Sequence, residues 1–114
     1  MPSEQTISLV KFSRTPFGRY RNSGPKSGEA FRKEMLEPAL KNYDRVVLNI
    51  DGVAGLPSSF WEEAMGGLVR AGYSLDLLKL KLEIVASDPE LQTYVRSGLR
   101  FAEEAAQEKT IVRN

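Results

Sequence analysis

The clearest pattern along the chain is a strand followed by a helix near its middle. In Arg45-Val46-Val47-Leu48-Asn49-Ile50, the residues Val46, Leu48 and Ile50 fall on one side and Val47 and Asn49 on the other. That is the period of a strand with one face against a core. Asp51-Gly52 follows as a turn. After Pro57-Ser58-Ser59 the apolar positions Phe60, Trp61, Ala64, Met65 and Leu68 take helical spacing. Ser59 is expected to cap that helix, with Glu62 completing a capping box. Ser58 then lies just outside, its hydroxyl free. The helix is expected to end near Ala71-Gly72, where glycine suits a left-handed position.

The flanks fill in the order. Ile7 to Phe12 predicts a first strand with imperfect alternation. Arg14 to Ser27 is rich in Pro, Gly, Asn and Ser and reads as a loop. Within it, Phe17 to Arg21 could form a hairpin with the first strand. Ser27 or Gly28 opens a helix carrying Phe31, Met35, Leu36, Ala39, Leu40 and Tyr43, which Pro38 should kink or restart. Leu78 to Ile84 alternates strictly and predicts a strand with one wet face. Asp88-Pro89 opens a last helix with the stripe Leu91, Val95, Leu99, Ala102 and Ala106. The tail from Lys109 is read as fraying or pairing locally. The order predicts an α/β domain with consecutive parallel strands side by side. Charges alternating in the last strand, with Ser8 and Asn49, predict a sheet covered mainly on one face.

Composition narrows the chemistry. The 114 residues predict one domain, 1–114. Apolar residues make up 41% and charged residues 27%, an ordinary globular balance. The formal net charge of +1 favours neither nucleic acid nor membrane as a partner. There is no cysteine and no histidine, so disulfides, thiolate chemistry and His-dependent hydrolytic triads are excluded within the chain. No carboxylate pair has metal-ligand spacing and no motif implies a cofactor; the expectation is no enzyme. No apolar run is long enough for a bilayer, and Met1-Pro2-Ser3-Glu4-Gln5 lacks the start of a secretory signal; a cytoplasmic protein is expected.

Two segments could carry chemistry. Ser58, placed before a helix, could present a phosphoryl group to its free N–H groups and dipole; Ser59 reads first as a cap. Lys11, Arg14, Arg19, Arg21 and Lys26 form a run without acidic residues. With Gly18, Gly24 and Gly28 they could wrap an anion against the first helix, or form a solvated loop whose glycines serve turns. Asp51 reads as a turn stabiliser. Of Glu62 and Glu63, which point in different helical directions, at least one should be solvated.

The stretch Val47 to Val53, followed by Ser58-Ser59 before a helix, resembles STAS domains, the fold of bacterial anti-sigma-factor antagonists. Ser58 falls on the serine that partner kinases phosphorylate in those antagonists. Pro57 and Phe60 stand where that family has Asp and Gly. The loop Arg21-Asn22-Ser23-Gly24-Pro25, then Ser27-Gly28-Glu29-Ala30-Phe31-Arg32, then Ser58 to Leu68, are more similar to a STAS-like family of uncharacterised bacterial proteins. The likeness spans roughly residues 7 to 72. It implies a STAS-like single domain, a mixed sheet with helices mainly on one face. It also implies a regulatory protein-interaction module whose partner could be a histidine-kinase-like ATPase. The two loops before the helices should then meet at one end of the sheet. Arg19, Arg21, Ser27, Ser58, Ser59 and Glu62 should form one partner- or anion-binding surface, with Ser58 its phosphorylation site. A homodimer through the uncovered sheet face is a further expectation. The alternative is a small-ligand or nucleotide module using the basic loop and both helix N-termini.

Overall fold

In the computed structural model, which describes residues 3–112 with side chains as far as Lys109, the strongest strand of the sequence is the middle strand of the sheet. β2 (Arg45–Asn49) lies between β1 (Glu4–Ser8) and β3 (Leu82–Val85), and both neighbours run parallel to it. The register pairs Leu48 with Ile7 on one side and Ile84 on the other, so an apolar row crosses the sheet. Ile7, Val46 and Leu48 are buried, whereas Thr6, Val47, Asn49 and Glu83 on the opposite face are less covered. The α/β class and the one-sided covering hold. Among the described residues the sheet is all parallel rather than mixed. No hairpin strand forms at Phe17 to Arg21, where Arg21–Ser23 makes a 3-10 turn.

The chain leaves β1 earlier than its pattern predicts. Leu9–Phe12 form a helical turn, α1, with Leu9 and Phe12 both buried. Residues three apart share a face in a helix but point oppositely in a strand, so burying both requires the turn. Next, α2 (Gly28–Phe31), a π-helical stretch Arg32–Leu36 and α3 (Glu37–Asn42) form one continuous helix. Pro38 has no N–H to return to the preceding turn. The disturbance takes the form of a widened turn, in which the Glu37 N–H bonds the Arg32 carbonyl five residues back.

Helix α4 (Ser58–Arg70) also begins early. Pro57 is its N-cap residue and its carbonyl accepts the Trp61 N–H at 3.0 Å, with no side-chain cap. Ser59 therefore caps nothing, makes no capping box with Glu62, and Ser58 is inside the first turn. The far end is as expected. Tyr73 N–H reaches Leu68 O and Gly72 N–H reaches Val69 O, both at 3.0 Å, with Gly72 at φ 114°, a Schellman closure.

The alternation over Leu78 to Ile84 is only half a strand. Ser74 caps α5 (Leu75–Lys81) by accepting the Leu77 N–H at 3.1 Å. The helix turns Leu78 into the core and leaves Leu80 73% exposed, and the strand keeps only Leu82–Val85. Asp88 caps the 3-10 turn Pro89–Leu91, which leads into α6 (Gln92–Val112). Leu91 at the end of the 3-10 turn and Ala102 on α6 are buried, but Leu99 is 41% exposed and Ala105 takes a core position. The tail from Lys109 continues as helix to Val112; Arg113 and Asn114 lie outside the described residues. No helix among the described residues is long and apolar enough to cross a membrane.

Close backbone approach fixes the helices. The Trp61 indole N–H donates to Tyr94 O at 2.8 Å, tying α4 to α6. A Cβ on Gly98 of α6 would sit 2.6 Å from Ile84 Cδ1 and 2.7 Å from the Trp61 ring. The first turn of α2 rests on that of α4: a Cβ on Gly28 would collide with the Phe60 carbonyl oxygen. The Phe12, Phe31 and Phe60 rings continue this contact, with centroids 5.1 and 6.1 Å apart. Gly28→Ala is accordingly expected to lower unfolding free energy by about 1–3 kcal/mol, as overpacking does. Gly55→Ala, in open space, should stay within about 0.5 kcal/mol. Urea unfolding of the two variants measures the contrast; equal midpoints would contradict it.

Candidate functional site

The basic loop folds back on the helix that follows it. Gly28 N–H donates to Gly18 O and Glu29 N–H to Arg19 O, each at 2.9 Å, while Ala30 N–H donates to Ser27 Oγ at 3.1 Å. These are donors that a helix start otherwise leaves open. An anion wrapped against α2 finds them occupied, and Ser27 is fully buried beneath the surface rather than on it. The same loop also holds the segment before α4, because Ala54 N–H donates to Arg14 O at 2.8 Å. A shallow groove of about 320 Å³ separates them, lined by Thr15, Pro16, Leu56, Pro57 and Tyr94 among others. The two loops thus emerge together and share a rim.

Ion pairs cross from loop to helix. Arg19 pairs with Glu62 and lies 3.8 Å from Glu63. Arg70, two turns further along α4, reaches Glu62 at 2.8 Å and Glu63 at 3.2 Å. Arg32 bonds Glu63 at 2.9 Å and also pairs with Glu37. The Arg32–Glu37 spacing of five residues matches the widened π turn. Glycines make the room: a Cβ on Gly66 would strike the Glu62 carboxylate, and one on Gly67 would lie 2.5 Å from Arg32 Nε. Arg32 is only 7% exposed and its Nε has no hydrogen-bond partner among the described residues. Burial works against ionisation of Glu62, but hydrogen bonds from Arg70 and Arg19 outweigh it and hold the carboxyl below its usual range.

The remaining positions separate. Ser58 is exposed and Ser59 half-buried, the first two residues of α4. Arg21 turns to Glu34 at 3.2 Å, and its N–H donates to Glu29 at 2.8 Å. Arg19, Glu62, Ser58 and Ser59 therefore share the rim, with Arg21 beside it and Ser27 below. Phe17 and Tyr20 stand out from the same loop, 70% and 50% exposed. Asp51 braces the neighbouring turn, accepting from the Ser87 and Asp88 N–H groups and the Ser87 hydroxyl. Those backbone donors hold its carboxyl below the ordinary value. No group of three or more His, Cys, Asp or Glu among the described residues is placed to hold a metal ion.

Sequence reasoning missed Arg32 and Arg70, and considered Glu63 without giving it a role. A faint signal existed: Glu63 and Gly67 lie three and seven residues beyond buried Phe60, so a carboxylate and a gap share one helical face. Glu63 is the buried member of the pair, and Glu62 keeps the partly open carboxyl.

The family model for a STAS-like domain of unknown function (DUF4325) matches residues 27–92. The match begins at the buried Ser27 cap and runs beyond Gly72 through β3, leaving β1 and the basic loop outside it. No curated protein and no solved structure matches the chain.

Two outcomes follow from the ion-pair cluster. Glu63→Gln should cost about 1–3 kcal/mol, because it leaves the buried Arg32 charge with Glu37 as its remaining anionic partner. Glu34→Gln, which breaks the exposed pair with Arg21, should cost under about 0.5 kcal/mol. Denaturant titration compares them. The lowered carboxyl of Glu62 adds stability that is present above its unfolded pKa, about 4.3, and fades as pH falls through the lower folded value. Glu62→Gln should therefore flatten the loss of stability below about pH 4.5 relative to the parent chain. Parallel acid limbs in unfolding measured across that range would contradict this.

Proposed function

The chain belongs to the family of STAS-like domains of unknown function, and from that premise we propose that it is a regulatory module that binds a partner protein through the rim shared by the loops before α2 and α4. The observation that carries this reading is the joining of those loops. Ala54 bonds Arg14 across the rim, Arg19 clasps Glu62, and Gly28 rests on Phe60. Exposed Phe17 and Tyr20 beside Arg14 and Arg21 give the rim aromatic and arginine anchors, the side chains that dominate protein interfaces. The work of the module is recognition rather than bond-breaking, without a cofactor, and its setting is the cytoplasm.

In this reading the partner is a histidine-kinase-like ATPase and Ser58 is the residue it phosphorylates. Ser58 is exposed in the first turn of α4, where no side chain caps the helix. A phosphate there meets the positive end of the dipole. Glu62 lies four residues on, on the same face, so the phosphate also stands near the guanidinium of Arg19 and competes for it.

The test uses ATP and a purified histidine-kinase-like ATPase. Mass spectrometry should find an added phosphate on the Ser58 peptide, and Ser58→Ala should remove it; no gain in mass refutes phosphorylation. Docking is read separately by calorimetry. The pair Phe17→Ala and Tyr20→Ala should weaken binding roughly tenfold or more with unchanged melting temperature. Unaltered affinity would sink the rim as the interface. Stabilisation by ATP alone would favour the small-ligand module instead.

A further inference from the structure

Arg19 and Arg21 are met by carboxylates, but the other cations of the basic run are not. Lys11, Arg14 and Lys26 are exposed, and none has a carboxylate partner among the described residues. The fold draws them together around one ring. Lys26 Nζ lies 4.5 Å over the Phe12 ring; Lys11 precedes Phe12 directly, and Arg14 follows it by two residues. The turn α1, which carries Lys11, packs against the facing loop: a Cβ on Gly52 would sit 3.2 Å from Val10 Cγ2. The carboxylate next to that glycine, Asp51, is engaged with the Ser87 and Asp88 N–H groups and the Ser87 hydroxyl. Positive charge therefore collects on one side of the rim.

The groove of about 320 Å³ begins where this charge ends. Thr15 and Pro16, directly after Arg14, line it together with Leu56, Pro57 and Tyr94, and no charged side chain lies among its walls. The Arg14 carbonyl accepts from Ala54, another of its lining residues, at 2.8 Å. We propose, on the reading that this rim is an interface, that the segment a partner protein lays across it is acidic. One apolar side chain of that segment seats in the groove, and flanking carboxylates reach Lys11, Arg14 and Lys26. An uncharged, largely apolar slot beside uncompensated cations selects those two kinds of side chain from one stretch of chain. The slot supplies contact energy, and the cations supply orientation and speed of association. A single-stranded nucleic acid is the poorer occupant. It needs cations spaced along a backbone, and beyond Arg14 the groove offers none. The net charge of +1 points the same way.

Selection from random linear peptides displayed on phage tests it. Recovered sequences should be rich in Asp and Glu beside a leucine, proline or aromatic residue. A recovered peptide, labelled for fluorescence anisotropy, should bind more weakly as salt is added. The triple variant Lys11→Gln, Arg14→Gln, Lys26→Gln should lose roughly tenfold in affinity at low salt and respond less to added salt. Gly55→Trp fills the groove from a position where a Cβ meets nothing within 4 Å, and should also weaken binding roughly tenfold. Thr15→Glu, an exposed change that sets a like charge at the groove, should act in the same direction. Melting temperatures should stay unchanged. Recovery of no peptide, or of peptides without acidic residues, overturns the proposal, as does affinity indifferent to these variants. Binding of an oligo-dT strand in place of any peptide would assign the cations to nucleic acid. ATPase binding that needs Phe17 and Tyr20 but neither the groove nor the three cations would reject the acidic segment and leave the rim as an interface.

Discussion

The Glu63 carboxylate, buried on α4, organises the polar half of this molecule. A buried anion is tolerated only where cations and donors close around it. Here Arg32 arrives from the π stretch and Arg70 from the end of the same helix. Neither could approach if Gly66 and Gly67 carried side chains, because a Cβ at either position would meet the ion-pair atoms. Two glycines in a helix interior weaken it by roughly 0.5–1 kcal/mol each relative to alanine. The fold accepts that cost where it lets a buried charge be met. Once α4 is fixed against the helix running from Gly28, the loop feeding that helix has nowhere to lie except across the start of α4.

The fold was legible where a single period was strong. The alternation of Arg45 to Ile50 and the spacing of Phe60 to Leu68 named the middle strand and the central helix, because burial of those side chains decides both. Errors arose where two local signals competed. Leu78 to Ile84 alternates like a strand, but Ser74 four residues earlier can cap a helix, and the cap decides the conformation as far as Lys81. Leu9 and Phe12 demand the same face, which bends the chain out of β1. Pro57 moved the start of α4 because its own carbonyl, rather than a serine hydroxyl, opens the helix.

The rim was legible as a meeting of loops but not in its chemistry. Basic residues in a run suggested an open anion cradle. In the fold, Arg19 and Arg21 are met by Glu62 and Glu34, and Lys26 lies over the Phe12 ring at 4.5 Å. The acidic partners lie 13 and 43 residues away in sequence for Arg21 and Arg19, which no local pattern reveals. Ser27 shows the same limit. Its type marks it as a helix cap, yet only the packing of α2 on α4 buries it completely.

Arg19 joins the two sides of the rim. It is the guanidinium that bridges the basic loop to α4, and it follows directly on Gly18, whose φ of 90° suits a bend few other residues adopt. Phe17 and Tyr20 lie on either side of this short segment. Under the proposed function, a charge added at Ser58 would act on Arg19 through its pair with Glu62. The backbone bonds from Gly18 and Arg19 to α2 set the other limit. They hold the backbone of the loop in place, so the proposed phosphate would act on the guanidinium of Arg19 without unseating the helix. Under the proposed function, a partner reads that local change of charge beside the exposed Phe17 and Tyr20.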